Sequence, residues 1–178
     1  MTGRKNMLSE TAKQQLTKAG WYEGRKIDVS HFEKKFTELG YDFFPAARSF
    51  LEEFGDLHIE DKTPCNCGQY KVNTNESSTE LEELDWWSMS DCDEFVEKVG
   101  KKVIPAAVME YMDIVIYISE DGKFYAEDNA MTKGGLWAEN SDQLWNEYYG
   151  EEGGWASWED LKAGKGRTMY KKSKKAYL

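Results

Sequence analysis

Apolar positions in the first part of the chain recur at three- and four-residue intervals, the period of helices that bury one face. Ala12, Leu16 and Ala19 share such a face, with Ser9 placed as N-cap and Gly20 where a left-handed stop belongs. Phe32, Phe36 and Leu39 make a second stripe before Gly40, and Ser30 with Glu33 three residues on has the spacing of a capping box. Pro45 suits the first turn of a third helix, whose face is Ala46, Ala47, Phe50, Leu51 and Phe54 and whose end is Gly55. The period then shortens. Residues 57–60 and 69–74 form short strand candidates around a turn at 64–68, whereas 75–90 is polar and poorly periodic, a long loop with a turn of helix at Leu81 and Leu84. Ser90 and Asp93 cap a helix through Phe95, Val96 and Val99 to Gly100, and strands follow at 103–108, 113–119 and 123–126. Glu120, Asp121 and Gly122 join the last two as a hairpin. Asn140 or Ser141 opens a final helix through Leu144, Trp145 and Tyr148 to Gly150. Helices, strands, a helix, a meander and a helix in that order predict an α+β fold rather than alternating βαβ units.

At 178 residues, 40% of them hydrophobic and 14% aromatic, the chain suits one domain with a ring-rich core. It has no window apolar enough to span a membrane and no N-terminal apolar run, which points to the cytoplasm. The net charge of −10 hides a division: all 33 acidic residues lie at or before Asp160, and seven of the 23 basic ones follow it. The body before Lys162 therefore carries −17, a charge that repels nucleic acid and attracts basic proteins. The basic tail has few interleaved rings, Tyr170 and Tyr177, so it is expected to be a solubilising tail or to fold back on the acidic body.

Chemistry finds little support in this pattern. His58, Ile59 and Glu60 followed by Pro64, Cys65 and Cys67 have some of the residue types of a zinc deaminase, but one residue separates the thiolates and the two halves lie too close together. Cys65, Cys67, Cys92 and His58 could supply tetrahedral ligands, yet no second paired motif supports a site, so reduced thiols without metal or cofactor are expected. His31 and His58 are the sole imidazoles available to activate a nucleophile. Gly134-Gly135 and Gly153-Gly154 lack the context of a phosphate loop, and a glycosidase-like carboxylate pair is expected by chance among 33 acids.

Two acidic stretches stand out. Between Lys71 and Lys98 there are nine carboxylates and no basic residue, with Trp86-Trp87 at the centre; between Lys133 and Lys162 acids alternate with Trp137, Trp145, Trp155 and Trp158. Carboxylates around an aromatic anchor steer and then hold a basic partner. The competing reading is a solvated charged face over ordinary core rings.

The run from Ala19 to Asp28, Ala-Gly-Trp-Tyr-Glu-Gly-Arg-Lys-Ile-Asp, joins a helix stop, a tryptophan that folds back on the helix it ends, a second glycine turn at Gly24 and an arginine, Arg25, placed to pair with Asp28 or Asp56. With Phe50 to Leu57, Val103-Ile104-Pro105, and the strands around Asp121-Gly122, this signature resembles the third group of the SUKH superfamily of immunity proteins, over roughly Leu8 to Tyr149. It departs from that pattern in having Ala106-Ala107 after Pro105 and in the tail beyond Gly150. The resemblance implies a curved, mainly antiparallel sheet flanked by helices in a single domain, with 1–150 as the SUKH-like domain and 151–178 as a C-terminal extension. It also implies a non-enzymatic antitoxin that occludes a cognate toxin domain, often a nuclease in this family. Glu80, Glu82, Glu83, Asp85, Trp86 and Trp87 are the expected partner-binding surface. A non-catalytic interaction scaffold and a carboxylate-dependent hydrolase are the alternatives; the oligomeric state stays open.

Overall fold

A computed structural model of the chain describes residues 7–61, 75–86, 92–109, 114–128 and 134–171. Its first helix, α1 (Glu10–Lys18), begins and ends as its sequence predicts: Ser9 Oγ accepts the Ala12 N–H, and Gly20 takes φ 101°. The Gly20 N–H then reaches the Thr17 carbonyl and the Trp21 N–H that of Leu16, so two carbonyls left over by the last turn are satisfied. The second helix, α2 (Ser30–Glu38), closes in the same way at Gly40. Its start differs from the capping-box expectation. Ser30 is already helical, and the Asp28 carboxylate takes both the Ser30 N–H at 3.0 Å and its hydroxyl at 2.8 Å, while Glu33 pairs with Arg48. Those bonds hold the Asp28 carboxyl below the usual carboxylate range. Pro45 opens α3 (Pro45–Phe54), where its missing N–H costs nothing.

Eight strands among the described residues form a sheet in simple sequence order, each antiparallel to the next: β1 (His58–Asp61), β2 (Asn75–Ser78), β3 (Val103–Met109), β4 (Ile114–Ser119), β5 (Phe124–Asp128), β6 (Gly134–Ala138), β7 (Glu152–Ser157) and β8 (Thr168–Lys171). The remaining helices are α4 (Leu81–Trp86), α5 (Cys92–Val99), α6 (Ser141–Tyr149) and α7 (Trp158–Lys162). The stretch expected to be a polar loop with a turn of helix at Leu81 and Leu84 has that helix as α4 and also carries the strand β2. Its Ser77 and Ser78 are buried, and strand pairing with β1 and β3 overrides their weak local propensity. The strand expected at 69–74 and the cap at Ser90 lie outside the described residues.

Alternation along β4 divides the core. Ile116 and Ile118 join Ile104, Phe124, Trp137 and Ala138 beneath α1, α2, α3 and α6, against Leu16, Phe32, Phe36, Phe54 and Trp145. Val115 and Tyr117 face the other way, with Tyr125, Leu136 and Ala156, and are covered by Phe95 of α5 and by Trp158 and Leu161 of α7. Phe95 and Tyr117 stack with ring centroids 4.1 Å apart. Pro105 fits within β3 because the register slips between Pro105 and Ala107, so the extra residue Ala106 forms a bulge where the sequence has no glycine.

Residues beyond Gly150 continue this architecture. Ala156 of β7 lies opposite Leu136 of β6, and the pair is close because Gly135 has no side chain: a Cβ there would strike the Ala156 carbonyl. Gly134 likewise makes room for the Trp158 ring. The tail as far as Lys171 folds back on the body through Arg167, whose guanidinium is bound by the buried Glu147 carboxylate of α6 and donates to the Gly154 carbonyl at 2.9 Å.

Candidate partner-binding surface

The Trp21 and Arg25 signature is built into a corner between α3 and β1. Trp21 is buried; its ring lies parallel to Phe54 of α3 with centroids 6.4 Å apart, and its indole N–H donates to Glu53 Oε1 at 3.3 Å. Gly24, at φ 78°, turns the chain so that Arg25 reaches the end of α3. There its guanidinium donates to the carbonyls of Glu53 (2.7 Å) and Gly55 (2.8 Å), instead of pairing directly with Asp28 or Asp56 as the sequence suggested. A planar fork matches two carbonyls left open at a helix end, and its positive charge suits that end of the helix dipole. Burial lowers the Arg25 pKa, partly offset by the charge of Asp56, and burial raises that of Glu53.

Thr79 closes the corner from the other side. Its hydroxyl accepts the Leu57 N–H at 3.0 Å and donates to the Phe54 carbonyl, while its own N–H donates to the Leu57 carbonyl at 2.9 Å. Asp56 adopts φ 53°, and His31 Nε2 stands 3.0 Å from its carboxylate. Nothing in the sequence around Thr79 marks this role, because its partners are 22 and 25 residues away.

The next residue faces outward. Glu80 precedes α4; its Oε2 accepts from Ser78 Oγ at 3.2 Å and lies 3.1 Å from His58 Nδ1. Glu82 and Glu83 follow in the first turn of α4, where carboxylates favour the helix N-terminus, Glu82 exposed and Glu83 half-buried. Leu84 anchors the helix by complete burial in the core. Asp85 and Trp86 complete α4, and Trp87 lies outside the described residues, so of the six expected surface residues the structure describes Glu80 just before α4 and Glu82 and Glu83 in its first turn. Across β1, where Ile59 points inward, His58 and Glu60 are exposed and line a cleft of about 470 Å³ with Lys18 and Ala19 at the end of α1.

Ser78, Glu80 and His58 are linked, but in an order that suits no nucleophile. The carboxylate lies between hydroxyl and imidazole, whereas activation of a serine needs the imidazole against the hydroxyl and the carboxylate behind it. Among the described residues no group of His, Cys, Asp and Glu is arranged to hold a metal ion; Cys65 and Cys67 lie outside them, and Cys92 begins α5. No described helix is long and apolar enough to cross a membrane. Of the tryptophans in the second acidic stretch, Trp137 and Trp145 are core residues, and Trp155 and Trp158 pack half-buried against the two sides of the core. The competing reading given above, ordinary core rings beneath a charged face, holds for these.

A scan against family models matches residues 8–149 to the SUKH-3 immunity protein family. The chain belongs to that family. The match covers most of the chain, from just before α1 to the end of α6, and takes in the Trp21 and Arg25 corner, the strands to β6 and the acidic flank. No curated protein and no solved structure matches the chain. Membership of SUKH-3 supports an immunity, antitoxin-type role and implies a cognate toxin as partner. The sequence β7, α7 and β8 lies beyond the matched segment.

Proposed function

We propose that this SUKH-3 protein neutralises a cognate toxin domain in the cytoplasm by stoichiometric, non-catalytic occlusion, and that the toxin surface it covers is basic, as the active site of a nuclease is. In this reading residues 1–150 carry the family function and 151–178 form an extension. The contact surface is the flank of Glu80, Glu82, Glu83 and Asp85 with Trp86 and Trp87 as its aromatic anchor. The observation that carries the proposal is local: the segment 75–86 holds five carboxylates and no lysine or arginine, and it is fixed on a rigid corner rather than on a free loop. A rigid acidic flank attracts a basic partner from a distance and binds it at low ordering cost. The adjoining cleft at Glu60 supplies concavity beside it.

Co-expression with the C-terminal toxin domain encoded by the neighbouring gene tests the role. Cells survive, and the two proteins copurify in equal amounts, if the proposal holds. Death despite abundant soluble immunity protein refutes it. If cells survive but reversal of Glu80, Glu82 and Glu83 to lysine leaves the association rate at low salt unchanged, the role stands and this surface is wrong.

A further inference from the structure

The matched family segment ends at Tyr149, and the residues after it pack on both faces of the sheet. β7 does this by alternation. Trp155 packs on the side of α1, α2, α3 and α6, edge-on to Trp137 with ring centroids 6.5 Å apart, while its neighbour Ala156 is fully buried on the other side. That second face is apolar: Val103, Val115, Tyr117, Tyr125 and Leu136 are all buried there. Within the matched segment, α5 covers part of it with Phe95, Val96 and Val99. The extension adds Trp158, whose ring lies parallel to Tyr125 at 5.9 Å and meets Phe95 edge-on at 5.2 Å, with Leu161 packed beside it. Water would reach this face if the extension were lifted away.

The extension is fastened at α6. Glu147 belongs to the matched segment, yet both hydrogen bonds its carboxylate makes among the described residues come from beyond it. Its Oε2 accepts the Gly154 N–H of β7 at 2.8 Å and also the guanidinium of Arg167, which stands just before β8. Arg167 then donates to the Gly154 carbonyl at 2.9 Å. One carboxylate thus holds both strands of the extension. The two side chains are 9% and 7% exposed, so separating them would leave a charge buried without compensation.

The link between the strands is itself fixed. Ser157 caps α7 by accepting the Asp160 N–H at 3.1 Å, and the Lys165 N–H closes the helix on the Asp160 carbonyl at 2.8 Å. A Cβ on Gly154 would strike the Arg167 guanidinium, so the close seating of that side chain depends on a glycine at this point of β7.

We propose that Glu152–Lys171 is a strap built into the domain, latched by Arg167 on Glu147, so that the folded unit of this chain runs from α1 to β8 and the strap opens only when the whole domain unfolds. This inference is independent of the toxin reading.

Native-state hydrogen exchange on the full chain tests it. The Gly154 amide is expected to exchange within about tenfold of the slowest amides of β4, because both need global unfolding. Faster exchange than that at Gly154, with β4 still protected, overturns the proposal, since the strap then opens by itself. Arg167→Met leaves the Glu147 carboxylate buried without its cation and should lower the melting temperature by about 6 °C or more, in one transition. Glu147→Leu added to Arg167→Met should recover at least about half of that loss, because no buried charge remains. A smaller fall in the single variant, separate melting of the strap, or a double variant no more stable than the single overturns the latch. If Arg167→Met does not fold, the double variant and exchange in the parent carry the test.

Discussion

Thr79 and Glu80 are neighbours in the chain, yet they belong to regions built on opposite terms. Thr79 is fully buried and makes hydrogen bonds to groups on α3 and before β1, in a corner that also takes the Arg25 fork and the Trp21 ring. Glu80, with Glu82 and Glu83, stands at the surface, where its carboxylate lies between the buried Ser78 hydroxyl and the exposed His58 ring of the edge strand. Precision in the corner gives the flank a fixed place, and the absence of such ties leaves the flank free to meet a partner. In the proposed reading, stability and recognition are thus separated by one peptide bond.

Substitutions should break that comparison if it is wrong. Thr79→Val keeps the shape and strands the Leu57 N–H and the Phe54 carbonyl, so a loss of about 3 kcal/mol in denaturant unfolding is expected; a loss below about 1 kcal/mol would show the corner to be dispensable. Arg25→Met removes two charge-assisted bonds and should cost about 2 kcal/mol, with inhibition of the toxin per folded molecule unchanged. Reversal of Glu80, Glu82 and Glu83 to lysine inverts the result: stability should change by less than about 1 kcal/mol, while association with the toxin at low salt slows about tenfold. Equal effects of the Arg25 and Glu80 changes on association would erase the distinction.

The smallest effect is a pH slope from the corner. Because burial raises the Glu53 pKa in the folded state above its value in the unfolded chain, the folded form binds the proton more tightly between those two values. As pH falls from neutral toward the ordinary glutamate range, the parent should therefore gain stability relative to Glu53→Gln, and the difference should level off below that range. A difference independent of pH there would place Glu53 in water.

Elements that depend on local chemistry were legible in the sequence. The Ser9 cap, the stops at Gly20 and Gly40, the Pro45 start, the Asp121-Gly122 hairpin and the Asn140 cap of α6 each rest on residues within a turn of one another. What escaped were β2, β6, β7 and β8, short strands with serine, glycine or lysine, whose extended form comes from pairing with neighbours rather than from their own preference. The Ser30 cap was misplaced because the helix has already begun at Ser30, whose N–H and hydroxyl both go to the Asp28 carboxylate, while the Glu33 N–H goes to the Val29 carbonyl. Of the expected binding residues, Glu80, Glu82 and Glu83 were visible as an acidic run, whereas the contact of Glu80 with His58 was not, since His58 lies 22 residues back along the chain.

The sequence by itself determined the family, the helix ends and the division of charge between body and tail, because motifs, caps and composition act over short spans or over none. The tertiary structure alone decided that Arg25 holds carbonyls rather than a carboxylate, that Arg167 is buried against Glu147, and that the tail becomes the last strand of the sheet. Each of these joins groups separated by 13 or more residues, and such contacts arise where packed elements bring unsatisfied polar groups within reach of one another.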